Sequence, residues 1–164
     1  MIYKYCPICG NELGIKSSWD EGMVPYCCED NILFFDIPKT VVLIAVLKED
    51  KILLLKQSYI YETCRVLISG YVTNGESLEE TAIREVFEET GIEISNVRYL
   101  GSYPLSEKDF LFVGFVGDYI QGDIVKSEEV ENAEWINIKN AIEEMKDDTI
   151  GKQVVNQVLK ILNF

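Results

Sequence analysis

Residues 70–92 read GYVTNGESLEETAIREVFEETGI and contain the signals for both ends of a helix. Ser77 and Glu80, three residues apart, form the capping-box pattern that begins a helix. Gly91 is suited to end the helix, because glycine adopts the left-handed conformation of a helix C-terminus without strain. Apolar residues recur at every fourth position between these ends, at Leu78, Ala82 and Val86. The pattern therefore predicts a helix with one apolar stripe.

The same stretch carries six glutamates and a single arginine. Glu85, Glu88 and Glu89 lie at positions i, i+3 and i+4, so the predicted helix brings their side chains to one face. Arg84 lies four residues from both Glu80 and Glu88, and we expect it to offset part of the repulsion. Two interpretations are open. The face is either solvated or a site for a hard divalent cation, Mg²⁺ or Mn²⁺, which takes oxygen ligands and bridges to phosphate.

The spacing of these residues follows the motif G-x5-E-x7-R-E-U-x-E-E-x-G-U, in which U is an aliphatic residue. Its constrained positions are all filled, by Gly70, Glu76, Arg84, Glu85, Val86, Glu88, Glu89, Gly91 and Ile92. The chain thus resembles the Nudix hydrolases. The resemblance implies an α/β fold in which a loop–helix–loop is set on an α/β/α sandwich around a mixed sheet. It also implies a pyrophosphohydrolase, in which water attacks phosphorus in a nucleoside diphosphate derivative.

The resemblance also assigns roles to residues of the motif. It places the catalytic metal, Mg²⁺ or Mn²⁺, on Glu85, Glu88 and Glu89, often joined by the backbone carbonyl of Gly70. It further implies that Glu85 helps to deprotonate the attacking water. The three glutamates and Arg84 form the predicted catalytic set within the motif.

Two acidic positions complete this prediction. Glu76 is expected to fix the loop before the helix rather than to bind metal directly. The segment SEEVENAEWINI, residues 127–138, resembles the context in which the family supplies one more acidic residue from a loop. This resemblance adds Glu129 to the catalytic set, with Glu128 and Glu131 as neighbouring alternatives. A solvated acidic turn is the other interpretation of the segment.

The remaining pattern predicts strands and helices interleaved around a mixed sheet, in an α/β or α+β arrangement. Strand-like runs occur at 40–47, 51–57, 64–70, 97–103, 110–119 and 133–138. The first two are joined by a polar turn and predict a hairpin. The first run is apolar almost throughout, as expected of a strand buried on both faces. The C-terminal residues predict a helix with one apolar face, formed by Ile150, Val154, Val158, Ile161 and Leu162.

Residues 1–38 differ from the rest in holding four of the five cysteines, and Pro38 is a plausible boundary. We therefore predict two domains, a zinc-ribbon-like segment at 1–38 and a hydrolase domain at 39–164.

Cys6 and Cys9 form a C-x-x-C half-site for metal. The second half-site offers Cys27, followed by Asp30 where another cysteine is expected. The predicted site is a structural Zn²⁺ bound by Cys6, Cys9, Cys27 and Asp30, with Cys28 as the other candidate for the fourth ligand. A ribbon that has lost its metal is the alternative.

A zinc ribbon ahead of a Nudix domain resembles the NADH pyrophosphatases. That branch carries S-Q-P-W-P-F-P after the motif, whereas this chain has SYPL at 102–105 and keeps only its serine and first proline. The resemblance therefore leaves several substrates open: NADH or NAD, ADP-ribose, another dinucleotide or a nucleoside triphosphate. Aromatic rings that would stack on a base are available at Tyr71, Tyr99, Tyr103 and Trp135.

The composition limits the partners of the chain. A formal net charge of −13 repels the phosphate backbone, so the sequence predicts no nucleic-acid binding. There is no histidine, which leaves acid–base chemistry to carboxylates, Lys, Tyr or Cys. The first ten residues lack a signal-peptide pattern, no apolar run is long enough for a membrane span, and the odd number of cysteines suits a reducing compartment. These features predict a cytoplasmic protein.

Two other functions and one oligomeric state, a homodimer, remain open. A Nudix domain can serve as a non-catalytic ligand sensor, and a zinc ribbon can serve as an interaction module. Sensors tend to lose the motif glutamates, and all of them are present here. A homodimer is suggested by the resemblance alone.

Overall fold

The computed structural model describes residues 3–57 and 62–163. The chain separates into two compact units, an N-terminal unit, Met1–Pro38, and a C-terminal unit, Lys39–Phe164. None of the helices in the described ranges combines the length and the apolar character that a bilayer span requires.

The N-terminal unit contains a small antiparallel sheet of three strands in the order β1-β2-β3. Its strands are β1, Gly14–Ser18; β2, Gly22–Cys27; and β3, Ile32–Leu33. The sequence analysis predicted no strands here, because the alternation that reveals a strand requires one buried face. In this sheet most side chains are exposed, and Trp19 at the turn between β1 and β2 is fully so. Among the described residues of this unit, the buried ones are Val24 and Cys27 in β2 and Cys6 before the sheet.

The C-terminal unit is an α/β/α sandwich around a six-stranded mixed sheet, as predicted. Its strands are β4, Lys39–Lys48; β5, Lys51–Lys56; β6, Ile68–Tyr71; β7, Glu93–Leu105; β8, Phe110–Gln121; and β9, Asn132–Asn137. Its helices are α1, Leu78–Thr90; α2, Ala141–Glu144; and α3, Thr149–Ile161, with short 3₁₀ turns at Ser106–Lys108 and Ile138–Asn140. The strand order is β7-β8-β4-β5-β9, and β6 also pairs with β4. The β4–β8 pair is parallel, and the other pairs are antiparallel.

The predicted hairpin exists, but its two strands pair only beside the turn, at Leu47–Ile52 and Lys48–Lys51. The first half of β4 pairs instead with β6, in a register that sets Val42 opposite Gly70. This arrangement places β6, the strand that leads into the helix α1, directly beside the central strand of the sheet.

Both faces of β4 are buried, which explains its nearly continuous apolar sequence. Alternate residues of β4 pack into two apolar clusters. One contains Val42, Ile44 and Val46 together with Ala82 and Val86 of α1. The other contains Leu43, Ala45 and Leu47 together with Val154, Val155 and Val158 of α3. Helices α1 and α3 therefore cover opposite faces of the sheet.

The predicted ends of α1 are confirmed. Ser77 Oγ accepts a hydrogen bond from the Glu80 amide, and the Glu80 carboxylate accepts one from the Ser77 amide, at 3.2 Å and 2.8 Å. Gly91 ends the helix in the left-handed conformation, with φ of 70°.

The apolar face of α3 is buried over only part of its length. Ile150, Val154 and Val158 are buried, but Ile161 is 57% exposed and Leu162 is 38% exposed. The predicted helix is confirmed, and Ile161 and Leu162 are exposed because the cluster beneath the helix ends at Val158 and Leu159. The buried face of α3 packs on its own sheet, which is sufficient to explain its apolar pattern.

Candidate active site

A cleft of about 550 Å³ lies beside β6 and contains most of the residues predicted to carry the chemistry. Gly70, Glu85, Glu89 and Glu129 all line it. The rest of the lining is mainly apolar and aromatic, and includes Leu43, Tyr71, Leu105, Phe110, Phe112 and Ile150. The cleft thus combines a group of carboxylates with a surface suited to a flat ring.

The Glu85 carboxylate lies directly against the backbone of Gly70. A Cβ atom at position 70 would lie 1.8 Å from the carboxyl carbon of Glu85 and 2.0 Å and 2.3 Å from its two oxygens. No side chain fits there unless the carboxylate moves. The glycine that begins the motif is therefore needed for space, so that a helix residue can reach a strand backbone.

Arg84 holds three carboxylates together. Its Nε and Nη2 donate to the two oxygens of Glu76 at 2.8 Å and 3.0 Å. Its Nη1 donates to Glu85 at 2.7 Å and to Glu88 at 2.9 Å. Arg84 also lowers the pKa of the Glu76 carboxyl to about 2. The expected contact with Glu80 is wrong, because the Glu80 carboxylate is taken up by the capping box at the start of α1.

Glu76 is therefore tied to α1, and its Oε2 also accepts a hydrogen bond from the Thr81 hydroxyl at 3.0 Å. The structural role of Glu76 stays a prediction. Glu88 is exposed and reaches the same arginine from the solvent side of the helix.

Glu89 is the buried member of the group, with 7% of its surface exposed. Burial raises the pKa of its carboxyl to about 8, the negative charge of Glu85 adds to this rise, and a hydrogen bond from Gln57 opposes it. Burial also raises the pKa of Glu85, against the influence of Arg84. Without a cation, burial therefore favours the protonated forms of Glu85 and Glu89, as expected of carboxylates removed from water.

Gln57, at the end of β5, was missed by the sequence analysis. Its Nε2 donates to Glu89 Oε2 at 3.3 Å, and its Oε1 is buried and has no hydrogen-bond partner within the described ranges. The only signal in the sequence is a polar residue at the end of an apolar strand.

The loop between β8 and β9 is fixed to the end of α1, and this brings Glu129 to the cleft. The Val125 amide donates to the Thr90 carbonyl at 2.9 Å, and the Ser127 amide donates to the Glu89 carbonyl at 3.2 Å. Val130, the residue after Glu129, is buried. Among the three loop glutamates, Glu129 lines the cleft, whereas Glu131 forms an ion pair with Lys56.

The donors at this end of the cleft fit a hard divalent cation. Carboxylate and carbonyl oxygens are the ligands that Mg²⁺ and Mn²⁺ prefer. Of the three predicted metal ligands on α1, two, Glu85 and Glu89, have pKa values raised by burial. A cation bound between them would supply the missing positive charge and favour the ionised form of both.

A second cluster lies in the N-terminal unit, where the ligand atoms of Cys6, Cys9, Cys27 and Asp30 all lie within 4.8 Å of one another. Asp30 Oδ2 is 3.0 Å from Cys6 Sγ and 3.1 Å from Cys27 Sγ, and Cys9 Sγ is 3.5 Å from Cys27 Sγ. Tetrahedral zinc with bonds of about 2.3 Å to sulfur keeps its sulfur ligands roughly 3.8 Å apart. The four residues therefore fit such an ion, and Cys28 is exposed and lies outside the cluster.

The pKa values of two residues in this cluster also fit a bound cation. The Asp30 carboxylate is the main reason that the pKa of the Cys9 thiol is raised to about 12. Hydrogen bonds from Cys9, Cys6 and Cys27, in that order, lower the pKa of Asp30. A cation in the cluster would favour loss of the Cys9 proton, because the thiolate is the form that binds zinc.

Of the four aromatic residues considered for stacking on a base, Tyr71 lines the cleft. It is 53% exposed and meets Phe110 edge to face, with ring centroids 5.9 Å apart. Tyr99 packs against Phe115, Trp135 packs against Tyr119 and Tyr103 joins the cluster beneath α3.

Comparisons with known proteins give one consistent result. The model of the NUDIX domain family matches residues 37–158. NAD-capped RNA hydrolase NudC of Vibrio parahaemolyticus is 29% identical over 157 residues, 95% of this chain and 59% of its own length. The Shigella dysenteriae protein of the same name is 32% identical over 140 residues, 84% of this chain and 53% of its own. The chain thus spans between half and three fifths of the length of these curated relatives.

Solved structures show the same fold. A NUDIX hydrolase from Nitrosomonas europaea superposes with a TM-score of 0.76 at 21% identity, over 94% of this chain and 92% of that one. A MutT protein from Bacillus halodurans superposes with a TM-score of 0.63 at 26% identity, over 74% of this chain and 82% of that one.

The substitution Gly70→Ala should weaken Mn²⁺ binding at least about tenfold, because the added methyl group displaces the Glu85 carboxylate. Isothermal titration calorimetry measures the dissociation constant. Gly117→Ala in β8 is the matched control, since its Cβ would meet the flexible end of Ile94 at 2.8 Å, away from the carboxylates. Equal affinities for the wild type and Gly70→Ala would contradict the steric argument.

The substitution Glu89→Gln should stabilise the protein at pH 8 in magnesium-free buffer and change little at pH 5. The folded pKa of about 8 lies above the value of about 4.3 expected in the unfolded chain. Folded protein therefore binds more protons between these values, and its stability falls as the pH rises through this window. Melting temperatures across pH 5–8 test this, with exposed Glu88→Gln as the control. Parallel pH profiles for the wild type and Glu89→Gln would rule out the buried proton.

A chelator should speed amide hydrogen exchange in residues 1–38 and leave residues 39–164 unchanged. Structural zinc contributes roughly 10–16 kcal/mol of apparent binding free energy in small metal-bound segments. Cys9→Ser should reproduce the effect without chelator. Cys28→Ser, one residue after a proposed ligand but outside the cluster, should not. Exchange in 1–38 that is insensitive to both the chelator and Cys9→Ser would mean that packing alone holds the unit.

Proposed function

Because the chain belongs to the Nudix family, we propose that it is a pyrophosphohydrolase that cleaves the diphosphate linkage of a nucleoside diphosphate derivative. The observation that carries this proposal is the convergence of Gly70, Glu85, Glu89 and Glu129 on one cleft with an aromatic surface. Such a cleft has separate places for the charged and the ring-containing parts of a nucleotide.

In this proposal Mg²⁺ or Mn²⁺ is held by Glu85, Glu88, Glu89 and the carbonyl oxygen of Gly70. When bound there, the metal would neutralise charge on the diphosphate and polarise phosphorus toward attack. Gln57 orients the buried Glu89 through its hydrogen bond. Arg84 is a positioning residue, since it contacts Glu85 and Glu88 and joins them to Glu76.

The reaction consumes one water. The water oxygen forms a bond to one phosphorus, and the bond between that phosphorus and the bridging oxygen breaks. The bridging oxygen leaves on the second phosphate, so each product carries one phosphate ester. The proton of the water passes to a carboxylate and then to solvent. Glu129 fits this role, because it is exposed at the cleft on a loop fixed to the end of α1.

We further propose that the substrate is a free dinucleotide or sugar nucleotide of the NADH, NAD or ADP-ribose kind. Two relatives are named for hydrolysis of NAD-capped RNA. The net charge of −13 favours the small molecule here, since an acidic surface repels a long phosphate chain. Leu105 lines the cleft at the end of the SYPL stretch, where the family resemblance leads one to expect tryptophan.

We propose residues 1–38 as a zinc-ribbon-like domain and residues 39–164 as the hydrolase domain. The fit of Cys6, Cys9, Cys27 and Asp30 to a tetrahedral ion supports the first assignment. This zinc would be structural, since all four ligands come from the protein and the site is closed.

Product analysis with a substrate panel tests the activity. The panel contains NADH, NAD, ADP-ribose, diadenosine polyphosphates, nucleoside triphosphates and an NAD-capped RNA, each with Mg²⁺ and with Mn²⁺. Glu88→Gln should reduce kcat/KM by more than about a hundredfold, beyond the range expected for an outer-shell partner. Glu79→Gln, an exposed glutamate in the first turn of α1, is the matched control and should remain active.

NMN and AMP as products of NAD would place the cut at the diphosphate. Faster cleavage of capped RNA than of NAD would overturn the preference for the small molecule. No turnover of any substrate, with a nucleotide still raising the melting temperature, would indicate a ligand sensor instead of an enzyme.

A further inference from the structure

Asp148 is a buried carboxylate in the same cleft that the proposed reaction does not use. It is 8% exposed and lies at the N-terminus of α3, on the opposite face of the sheet from α1. Its Oδ1 accepts a hydrogen bond from the Gly151 amide at 2.8 Å. No side chain in the described ranges donates a hydrogen bond to it. Burial raises the pKa of this carboxyl, while the Gly151 and Ile150 amides and the charge of Lys152 lower it. These contacts offset the cost of burying the carboxylate only in part.

A comparison within the molecule shows that Asp148 is more than a helix cap. Ser77 caps α1 from an exposed position with an extended backbone, and glutamate follows three residues later. Asp148 caps α3 from a buried position with ψ of 86°, and glycine follows three residues later. A Cβ atom at Gly151 would lie 2.1 Å from Asp148 Oδ2 and 2.4 Å from the methyl carbon of Met145.

Gly151 therefore makes room for the carboxylate of Asp148, as Gly70 does for that of Glu85. Glycine is a poor helix former, and helices begin with many kinds of residue at this position. An ordinary cap does not require it. The glycine allows a carboxylate to sit inside the cleft instead of on the surface.

The surroundings of Asp148 suit a flat heterocycle. Leu43, Leu105 and Phe112 belong to the apolar cluster beneath α3 and also line the cleft. Tyr71 and Phe110 add aromatic surface. A ring stacked here could give a hydrogen bond to a carboxylate at its edge.

We propose that Asp148 recognises the heterocyclic ring of the substrate by accepting a hydrogen bond from an amino or amide N–H group. This inference rests on the proposed function, because it assumes a nucleotide in the cleft. A carboxylate repels phosphate unless a cation lies between them. The diphosphate would therefore lie at the proposed metal site beside Glu85 and Glu89, and the ring would lie toward α3. Adenine and nicotinamide both carry such an N–H group, the first on its exocyclic amine and the second on its carboxamide.

Analogues of NAD that lack one of these groups test the proposal. Nicotinamide hypoxanthine dinucleotide has oxygen in place of the adenine amine, and nicotinic acid adenine dinucleotide has oxygen in place of the amide nitrogen. The wild type should lose at least about tenfold in kcat/KM with one of the two, because oxygen then faces the carboxylate. The affected analogue identifies the ring. In Asp148→Asn, the ratio of kcat/KM for NAD to kcat/KM for the affected analogue should fall to within about threefold of unity. The reason is that the asparagine amide can donate a hydrogen bond to the oxygen of the analogue.

Asparagine caps helices as well as aspartate does, so this variant keeps the amide of Gly151 bonded. Asp147→Asn is the matched control, since Asp147 is exposed, accepts from Thr63 and does not line the cleft. It makes the same change in charge and should retain the wild-type ratio.

Calorimetric dissociation constants for AMP against IMP, and for NMN against nicotinic acid mononucleotide, give the same ratios without turnover. Failure to hydrolyse any dinucleotide would overturn the proposed function, while these constants still report on Asp148. The inference would be overturned if the wild type had equal kcat/KM values and equal dissociation constants within each pair of compounds. It would also be overturned if Asp148→Asn kept the wild-type ratio of these values.

Discussion

The contact between the Glu85 carboxylate and the backbone of Gly70 is the constraint on which the site depends. A carboxylate reaches a strand backbone this closely only when the strand residue has no side chain. The contact requires α1 to lie tightly on β6, and β6 to pair with the first half of β4. Packing of Ala82 and Val86 against Val42 and Ile44 holds the helix at that distance. The same helix, α1, therefore packs one of its faces into the apolar core and presents another face to the acidic site.

Such a helix needs compensation for its crowded charge. Arg84 supplies part of it, through contacts with Glu76, Glu85 and Glu88. Glu89 is compensated differently: burial raises the pKa of its carboxyl to about 8, so the protonated form is favoured near neutral pH. In the metal-free site, three carboxylates are thus paired with Arg84, and a fourth, that of Glu89, favours its neutral form. A divalent cation bound beside Glu89 would have to displace that proton.

Local patterns in the sequence predicted the helix α1, its caps, its apolar stripe and the glutamates on one face, because these features involve residues within four positions of one another. Contacts between distant segments could not be predicted. The support of Glu89 by Gln57 links residues 32 positions apart. The docking of the Glu129 loop on the end of α1 and the burial of Asp148 also depend on the tertiary fold. The strands of the N-terminal unit were missed because their side chains are mostly exposed and show no alternation.

The charge of the chain gives the metal a role in binding as well as in chemistry. Of the described residues that line the cleft, Lys108 is the one cation, whereas four are carboxylates. In a chain of net charge −13, an anionic diphosphate that enters this cleft is repelled by the carboxylates unless a cation is bound there. Under the proposed function the cation must therefore supply affinity for the diphosphate, while the apolar surface between β6 and α3 supplies affinity for the ring. Substrate selection would then depend mainly on the ring end, because the metal end accepts any diphosphate.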